Sequence, residues 1–307
     1  MQPSPYEKQA WKEIQAWKNP TLGWFDKAMQ VVNWPLDKAG DLLMKTPGVG
    51  WVIQKSVGGL VGLANDAAQW SVREEAIFGE YRDAGHSNVK THADLLKVDL
   101  EHVDKTIGWL AAKYKGLALT EGAALGAAGL PGIPPDVVAV VALNLRAIGE
   151  YATYCGFNVS LQQEKLFAMN VLGLASSPSD SSKVVAMAQL VKIGQDVARK
   201  RAWKDLQQHA FVQIIQQIAK ALGIRLTKAK LAQVLPAAGA IVGGGFNAYF
   251  TANVCEAAYF LYRERFLAAK YGPDFIGVPV KPADDLGPHY PEDNEKLPTD
   301  TTPPPEL

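Results

Sequence analysis

The spacing of apolar residues predicts helices along most of this chain. The clearest pattern covers residues 91–115, where apolar side chains recur at alternating intervals of four and three and therefore share one helix face. These positions are Leu96, Leu100, Val103, Ile107, Leu110 and Tyr114. At the start of this segment, Thr91 and Asp94 have the spacing of a capping box. We therefore expect one amphipathic helix over residues 91–115.

A shorter amphipathic helix is predicted over residues 6–18, with Trp11 and Ile14 on one side. No stretch of the sequence sustains the alternation of apolar and polar residues that is typical of β-strands. The fold class is therefore predicted to be all-α, a helical bundle.

Two apolar segments rich in glycine interrupt the amphipathic helices. Residues 115–158 contain a run of small residues, a double proline and a long apolar stretch, and residues 231–255 contain no charged side chain. Pairs of glycines four residues apart, at 122–126 and 239–243, allow helices to approach closely in a soluble bundle or in a bilayer. The second segment is long enough to span a membrane, but Pro236 and its glycines favour a packed or re-entrant helical hairpin.

Composition divides the chain into three regions. Residues 1–84 are rich in tryptophan, residues 85–270 form the main helical region, and residues 271–307 are acidic and rich in proline, so this tail is predicted to be disordered. The tail carries eight acidic and two basic side chains, a net charge of −6, whereas the whole chain has a net charge of zero. The remaining body is therefore mildly basic at +6. This favours an anionic membrane surface as partner over nucleic acid.

Candidate membrane contacts come from tryptophans and from a basic run. Trp11 and Trp17 lie in the first predicted helix, and tryptophan favours the interface between membrane and water. Arg199, Lys200 and Arg201 are consecutive basic residues in a helical region with few aromatic residues, which suits lipid headgroups better than stacked bases. The alternatives are a small N-terminal core for the tryptophans and an ordinary solvated face for the basic run.

Polar residues inside the apolar regions are the candidates for a site. They are Glu121, Asp136, Arg146, Glu150, Asn247, Glu256 and Arg263. Charged groups in an environment of low dielectric constant must be paired or hydrogen-bonded, so a structural polar network is the first interpretation. Asp136 follows a double proline and is expected in the first turn of a helix, where it would act as an N-terminal cap. Glu121, Asp136 and Glu150 are weak catalytic candidates for acid–base or metal chemistry, since no histidine lies near them.

Motifs for cofactors and metals are absent from the sequence. It contains no zinc-binding pair of histidines, no phosphate-binding loop, no dinucleotide fingerprint and no serine nucleophile elbow, so no cofactor and no metal are expected. Cys155 and Cys255 lie one hundred residues apart within apolar helical patterns and are expected to be buried free thiols. The first residues lack a basic segment followed by an apolar one, so we expect a cytoplasmic protein.

Two separated motifs resemble the signatures of the EcsC family. The first comprises Glu121-Gly122-Ala123, Gly126, Gly129-Leu130-Pro131-Gly132, Pro135-Asp136, Leu145-Arg146, Glu150, Tyr154 and Gly156. The second comprises Leu235-Pro236, Gly243-Gly244, Asn247 and the run from Tyr262 through Arg263-Glu264-Arg265-Phe266 to Leu267. The resemblance covers about residues 85–270. It departs from the family pattern where Cys155 separates Tyr154 from Gly156.

The resemblance implies a bacterial protein without an established catalytic role. The family is named after a gene that lies beside the two genes of an ABC transporter. The expected function is that of a non-enzymatic, membrane-associated accessory or interaction protein of a transport, secretion or stress system. It would be cytoplasmic and peripheral to the inner membrane, with an anionic membrane surface or a membrane protein as partner. The resemblance does not predict an oligomeric state. The alternatives are a hydrolase with a carboxylate site and a membrane-active, pore-forming or toxic effector.

Overall fold

The computed structural model describes residues 2–19, 47–65, 72–126, 129–177, 180–198, 208–233 and 245–277. Within these ranges all regular secondary structure is helical and no residue lies in a β-strand, which confirms the predicted all-α fold class. Most of the acidic tail, from residue 278 onward, lies outside the described residues.

Helices of very different lengths follow one another along the described chain. They are α1 (Pro5–Lys18), α2 (Val49–Asn65), α3 (Glu74–Asp83), α4 (His92–Leu95), α5 (Leu100–Ile107), α6 (Leu110–Gly126), α7 (Gly129–Tyr154), α8 (Gln162–Ala175), α9 (Asp180–Ala198), α10 (Gln208–Gln233) and α11 (Gly245–Tyr271). A short 3-10 helix follows at Pro273–Phe275. Helices α7 and α11 contain 26 and 27 residues. At a rise of about 1.5 Å per residue, each is about 40 Å long.

The first helix begins where a capping box satisfies its free amide groups. The Ser4 hydroxyl accepts a hydrogen bond from the amide of Glu7, and the Glu7 carboxylate accepts one from the amide of Ser4. Pro5 is well suited to the first helical position because its φ angle is already helical. Ile14 is fully buried, and the ring of Trp17 stacks on that of Phe260 with centroids 5.0 Å apart. The apolar side of the predicted helix therefore packs into the protein.

The long helix predicted over residues 91–115 is wrong, because this segment forms α4, α5 and the start of α6. Gly108 has a φ of 49°, which an α-helix does not accommodate, so the chain turns between α5 and α6. The predicted capping box of Thr91 and Asp94 is confirmed. The predicted apolar face is also buried, with Leu96 only partly so, because both helices turn it toward the core. The fully buried positions are Leu100, Val103, Ile107, Leu110 and Tyr114.

Helices α7 and α11 lie side by side and run parallel. The Asn247 amide donates to the Asp136 carboxylate at 3.0 Å, and the Asn144 amide donates to the Thr251 hydroxyl at 3.0 Å, so residue numbers rise together along both helices. Helix α6 packs against both of them. These three helices form the centre around which the others are arranged.

The N-terminal helices share the core of the rest of the described chain. Ile14 of α1 and Ile53 of α2 are fully buried in the same hydrophobic cluster as Ile148 of α7 and Phe266 of α11. The compositional boundary near residue 84 therefore does not mark a gap in the core. Both cysteines are buried and free, as predicted.

Glycine permits the closest approach between α2 and α10. A Cβ atom at Gly223 of α10 would lie 3.1 Å from the Cα of Val57 and 3.0 Å from its Cγ2. Because the Cα of Val57 belongs to the backbone, it cannot rotate away from an added methyl group. The two helices therefore pack more closely at this position than an ordinary Cβ contact allows.

We predict that Gly223→Ala destabilises the protein by about 1–3 kcal/mol, because the new methyl group would force α2 and α10 apart. The measurement is the free energy of unfolding in urea. Gly116→Ala in α6 is the matched control, since nothing lies within 4 Å of a Cβ atom there. At this exposed position of α6 the alanine should stabilise the protein by about 0.5–1 kcal/mol. Equal effects of the two substitutions would contradict the close contact.

Candidate functional site

The sequence predicted that Asp136 lies in the first turn of a helix, and this prediction is wrong. In the structure Asp136 lies inside α7. The helix begins at Gly129 and continues through Pro134 and Pro135, so Asp136 is seven residues from its start. Its side chain is 6% exposed. A carboxylate in that position needs partners from neighbouring helices to compensate for its lost hydration.

Two such partners come from α10 and α11. The Lys230 ammonium donates to Asp136 Oδ2 at 2.5 Å, and the Asn247 side-chain amide donates to Asp136 Oδ1 at 3.0 Å. Lys230 is itself buried and lies 5.4 Å from the centroid of the Phe246 ring. Burial lowers the pKa of Lys230, and the Asp136 charge opposes that shift. These contacts join α7, α10 and α11.

Glu121 brings α6 to the same place. Burial, and after it the Asp136 charge, raises the pKa of Glu121 above its usual value of 4.5. Its Oε2 atom is buried and accepts no hydrogen bond from any described residue. Glu121, Asp136, Lys230 and Asn247 thus form one group from four helices, which we call the polar cluster. It adjoins the glycine-rich segments, because α6 and α10 end there and α7 and α11 begin there.

Glu150, the third carboxylate of the predicted catalytic set, lies elsewhere. It is fourteen residues beyond Asp136 on α7, which is about 21 Å along the helix axis. It pairs with Lys113 of α6 at 2.8 Å and with Arg146 at 3.8 Å. The three carboxylates therefore do not meet in one site. The pair of Lys113, near the start of α6, with Glu150, near the end of α7, also shows that these two helices run antiparallel. Glu256 is exposed on α11.

Arg263 is the first of three consecutive buried charges near the end of α11, each of which has its own partner. The pairs are Arg263–Asp104 at 2.8 Å, Glu264–Lys18 at 2.8 Å and Arg265–Glu164 at 2.5 Å. Arg263 also lies 3.5 Å from the half-exposed carboxylate of Glu13. The seven predicted polar residues are thus distributed over separate groups. Asn247 contacts Asp136, whose charge also acts on Glu121. Arg146 pairs with Glu150, and Arg263 and Glu256 lie outside both groups.

The partners of these buried charges could not be predicted from local sequence patterns, because each partner is distant along the chain. Lys230 carried the one available signal, since it is the last charged residue before the uncharged segment 231–255. When such an uncharged segment packs into the core, the lysine at its edge is buried too and then needs a buried anion as partner. Asp104, Glu164 and Lys18 lie in ordinary amphipathic helices, where charges are usually solvated.

A second feature is the exposed side of α6. This helix buries a narrow stripe of Leu110, Tyr114 and Ala118 and exposes Leu117 and Leu119. Trp109, directly before the helix, is 87% exposed. Exposed positions recur at helical spacing, and we call them the α6 outer face: Trp109, Ala112, Lys113, Gly116, Leu117 and Thr120.

The tryptophans predicted to contact a membrane are held by the protein itself. The Trp11 indole is 36% exposed and its Nε1–H donates to the Phe275 carbonyl at 3.2 Å. Trp17 is partly buried against Phe260. Arg199, Lys200 and Arg201 lie outside the described residues.

Within the described ranges, one helix is long and apolar enough to cross a membrane, Pro131–Tyr154 in α7, and 67% of its most apolar window is buried. The central helix of a soluble domain has the same properties. The described residues contain no cluster of three or more histidine, cysteine or acidic side chains that would hold a metal ion.

Comparison with known proteins gives a consistent family match. The model of the EcsC protein family matches residues 8–267, which extends further toward the N-terminus than the two sequence signatures do. An uncharacterised protein of Bacillus subtilis (strain 168), YdbA, is 23% identical over 261 residues, covering 83% of this chain and 90% of the relative. Protein EcsC of the same organism is 23% identical over 191 residues, covering 62% and 74%. No solved structure gives a significant match.

We predict that Lys230→Met destabilises the protein by about 3–5 kcal/mol, because it leaves the Asp136 carboxylate buried without its cation. The double variant Asp136→Asn, Lys230→Met should recover most of that loss, since both charges are then removed. Free energies of unfolding in urea for the two single variants and the double variant complete the cycle. Lys105→Met is the control, because its pair with Glu101 is exposed and should contribute nothing measurable. Additive effects of Asp136→Asn and Lys230→Met would contradict the pairing.

Proposed function

The chain belongs to the EcsC protein family, and we propose that it is a non-enzymatic accessory or interaction protein of a bacterial transport, secretion or stress system. It works in the cytoplasm, peripheral to the inner membrane, and contacts the anionic membrane surface. The observation that carries this proposal is the exposure of Trp109, which is 87% exposed at the start of the α6 outer face.

A tryptophan in this position has a large apolar surface in water and nothing of the described chain covering it. Burying such a ring removes roughly 150–250 Å² from water, at about 25 cal/mol per Å². Leu117 lies two turns further on the same face and adds apolar area. Tryptophan also favours the membrane–water interface because its indole N–H remains hydrated there.

The charges around the α6 outer face support an anionic surface as partner. Lys113 and Arg146 have half-exposed side chains and share the single anion Glu150, and Lys115 is exposed. Three cations against one anion give a local charge of +2. Each basic residue near an anionic leaflet contributes about 1 kcal/mol. The proposed contact therefore moves from the N-terminal tryptophans, which pack against the protein, to α6.

A hydrolase with a carboxylate site is the second candidate function, and the approach of Glu121 to Asp136 favours it. A carboxyl with a raised pKa beside an ionised one is an arrangement that general acid–base catalysis uses. Against it, both oxygens of Asp136 already accept hydrogen bonds from Lys230 and Asn247. Hydrolysis that is lost in both Glu121→Gln and Asp136→Asn, with the fold retained, would establish this candidate.

We predict that the protein sediments with phosphatidylglycerol vesicles at low salt and much less with phosphatidylcholine vesicles. Trp109→Ala should weaken the binding by about tenfold or more, which corresponds to a loss of about 1.4 kcal/mol or more. Its melting temperature should stay unchanged, because a substitution at an exposed position rarely affects stability. Trp11→Ala is the matched control and should bind like the wild type.

Different outcomes assign different functions. Equal sedimentation of the wild type and Trp109→Ala would contradict the α6 contact, and loss of binding in Trp11→Ala alone would assign it to α1. Binding to native membranes but not to lipid vesicles would identify a membrane protein as partner. Release of an entrapped dye would favour the membrane-active alternative.

A further inference from the structure

Two cations with unused hydrogen-bond donors lie beside each other where α6 meets α7. The Lys113 ammonium donates to Glu150 Oε2 at 2.8 Å, and Arg146 Nε lies 3.8 Å from Glu150 Oε1. The second distance is too long for a hydrogen bond, so the guanidinium of Arg146 donates none of its N–H groups to the described part of the chain. The ammonium of Lys113 has further N–H groups beyond the one that it donates. Both residues can therefore donate to a ligand.

Glu150 holds these two cations in place. Its carboxylate lies between them and its side chain is 10% exposed, whereas the side chains of Lys113 and Arg146 are 51% and 49% exposed. Lys113 Nζ also lies 5.0 Å from the centroid of the Tyr114 ring, which is buried. An approaching ligand therefore meets two positioned cations in front of a largely buried anion. We call Lys113 and Arg146 the basic pair.

The basic pair has one positive charge that the described chain does not neutralise. Glu150 is the one acidic residue that forms an ion pair with either cation in the described ranges. A ligand with a single negative charge would complete the balance. A phosphodiester carries one such charge, and its two free oxygens match the planar fork of donors on arginine. The basic pair therefore fits a phosphodiester group.

Apolar side chains flank the basic pair on the α6 outer face. Trp109 and Leu117 lie four residues before and after Lys113, and the Lys113 amide donates to the Trp109 carbonyl at 3.0 Å, so Trp109 continues the helical register. Because α6 and α7 are antiparallel, Arg146, four residues before Glu150, lies level with Leu117. Trp109 is 87% and Leu117 43% exposed. A phosphodiester with hydrocarbon attached beside it, as in a phospholipid, fits both the cations and these apolar side chains.

We propose that the basic pair binds the phosphodiester headgroup of one anionic phospholipid, while Trp109 and Leu117 contact the upper part of its acyl chains. The fork of Arg146 donates to the free phosphate oxygens, Lys113 contributes a second cation, and Glu150 positions both. This inference rests on the proposed membrane role and gives that role a specific lipid site. It differs from general attraction to a negative surface, because the shape of the guanidinium matters in addition to its charge.

Arg146→Lys separates shape from charge. Binding to phosphatidylglycerol vesicles should fall about fivefold or more, since lysine retains the positive charge and lacks the planar fork. Lys115→Gln is the matched control, because Lys115 is exposed on the same helix but points about 200° away from Lys113. Although it removes a whole charge, it should weaken binding only about twofold or less, because it faces away from the lipid. Both variants should keep the melting temperature of the wild type, since they alter exposed positions.

A soluble lipid tests the same site without a bilayer. The side-chain Nε–H resonance of Arg146 in a proton–nitrogen NMR spectrum is identified by its absence from the spectrum of Arg146→Lys. It should shift when dihexanoyl-phosphatidylglycerol is added below its micelle concentration. Dihexanoyl-phosphatidylcholine, which has no net charge, and inorganic phosphate, which has no acyl chains, should shift it much less at the same concentration.

The outcomes distinguish this site from the membrane role itself. If vesicle binding is lost in Trp109→Ala but Arg146→Lys binds like the wild type, the membrane contact stands and the headgroup site is overturned. If the wild type binds no vesicles, the membrane role fails, and the soluble lipid still decides the headgroup site. An Arg146 resonance that does not respond to the soluble lipid, or that responds equally to inorganic phosphate, would overturn the assignment to a phospholipid.

Discussion

Three consecutive buried charges on α11 constrain the helices around it more than any other feature. Successive residues of a helix point about 100° apart, so Arg263, Glu264 and Arg265 need partners from different sides. Those partners are Asp104 of α5, Lys18 at the end of α1 and Glu164 of α8. A buried charge that loses its partner is strongly destabilising. Each of the three helices therefore has one position at which it can pack against α11.

The same pairs explain why the N-terminal helix belongs to the core. Lys18 is buried against Glu264 and also donates to the Gly277 carbonyl at 2.6 Å, which joins the end of α1 to the segment after α11. Arg265 lies between the rings of Phe157 and Phe167, with its guanidinium carbon 4.1 and 4.3 Å from their centroids. Its charge is thus enclosed by aromatic faces as well as paired.

The sequence was informative where the cause is local. The capping box of Thr91 and Asp94 and the apolar stripe from Leu100 to Tyr114 depend on residues within a few turns, and both were predicted correctly. The break at Gly108 was missed, because an apolar repeat continues across a turn if both helices face the same core. The pairing of Asp136 with Lys230 could not be read from the sequence, since it joins residues 94 positions apart. The exposure of Trp109 likewise depends on the whole fold, because a tryptophan beside an apolar stripe is normally buried.

The two ends of the central bundle differ in the chemistry of their buried cations. At the far end of α11 two of the three cations in the buried pairs are arginines, which stay charged at any physiological pH and bind carboxylates through a planar fork, and the third is Lys18. At the glycine-rich end the cation is Lys230, a single ammonium whose pKa is lowered by burial. Lysine makes one point contact and its protonation responds to its surroundings. The two arginine pairs are therefore permanent attachments of α5 and α8 to α11, whereas Lys230 joins α10 to α7 through a single ammonium contact.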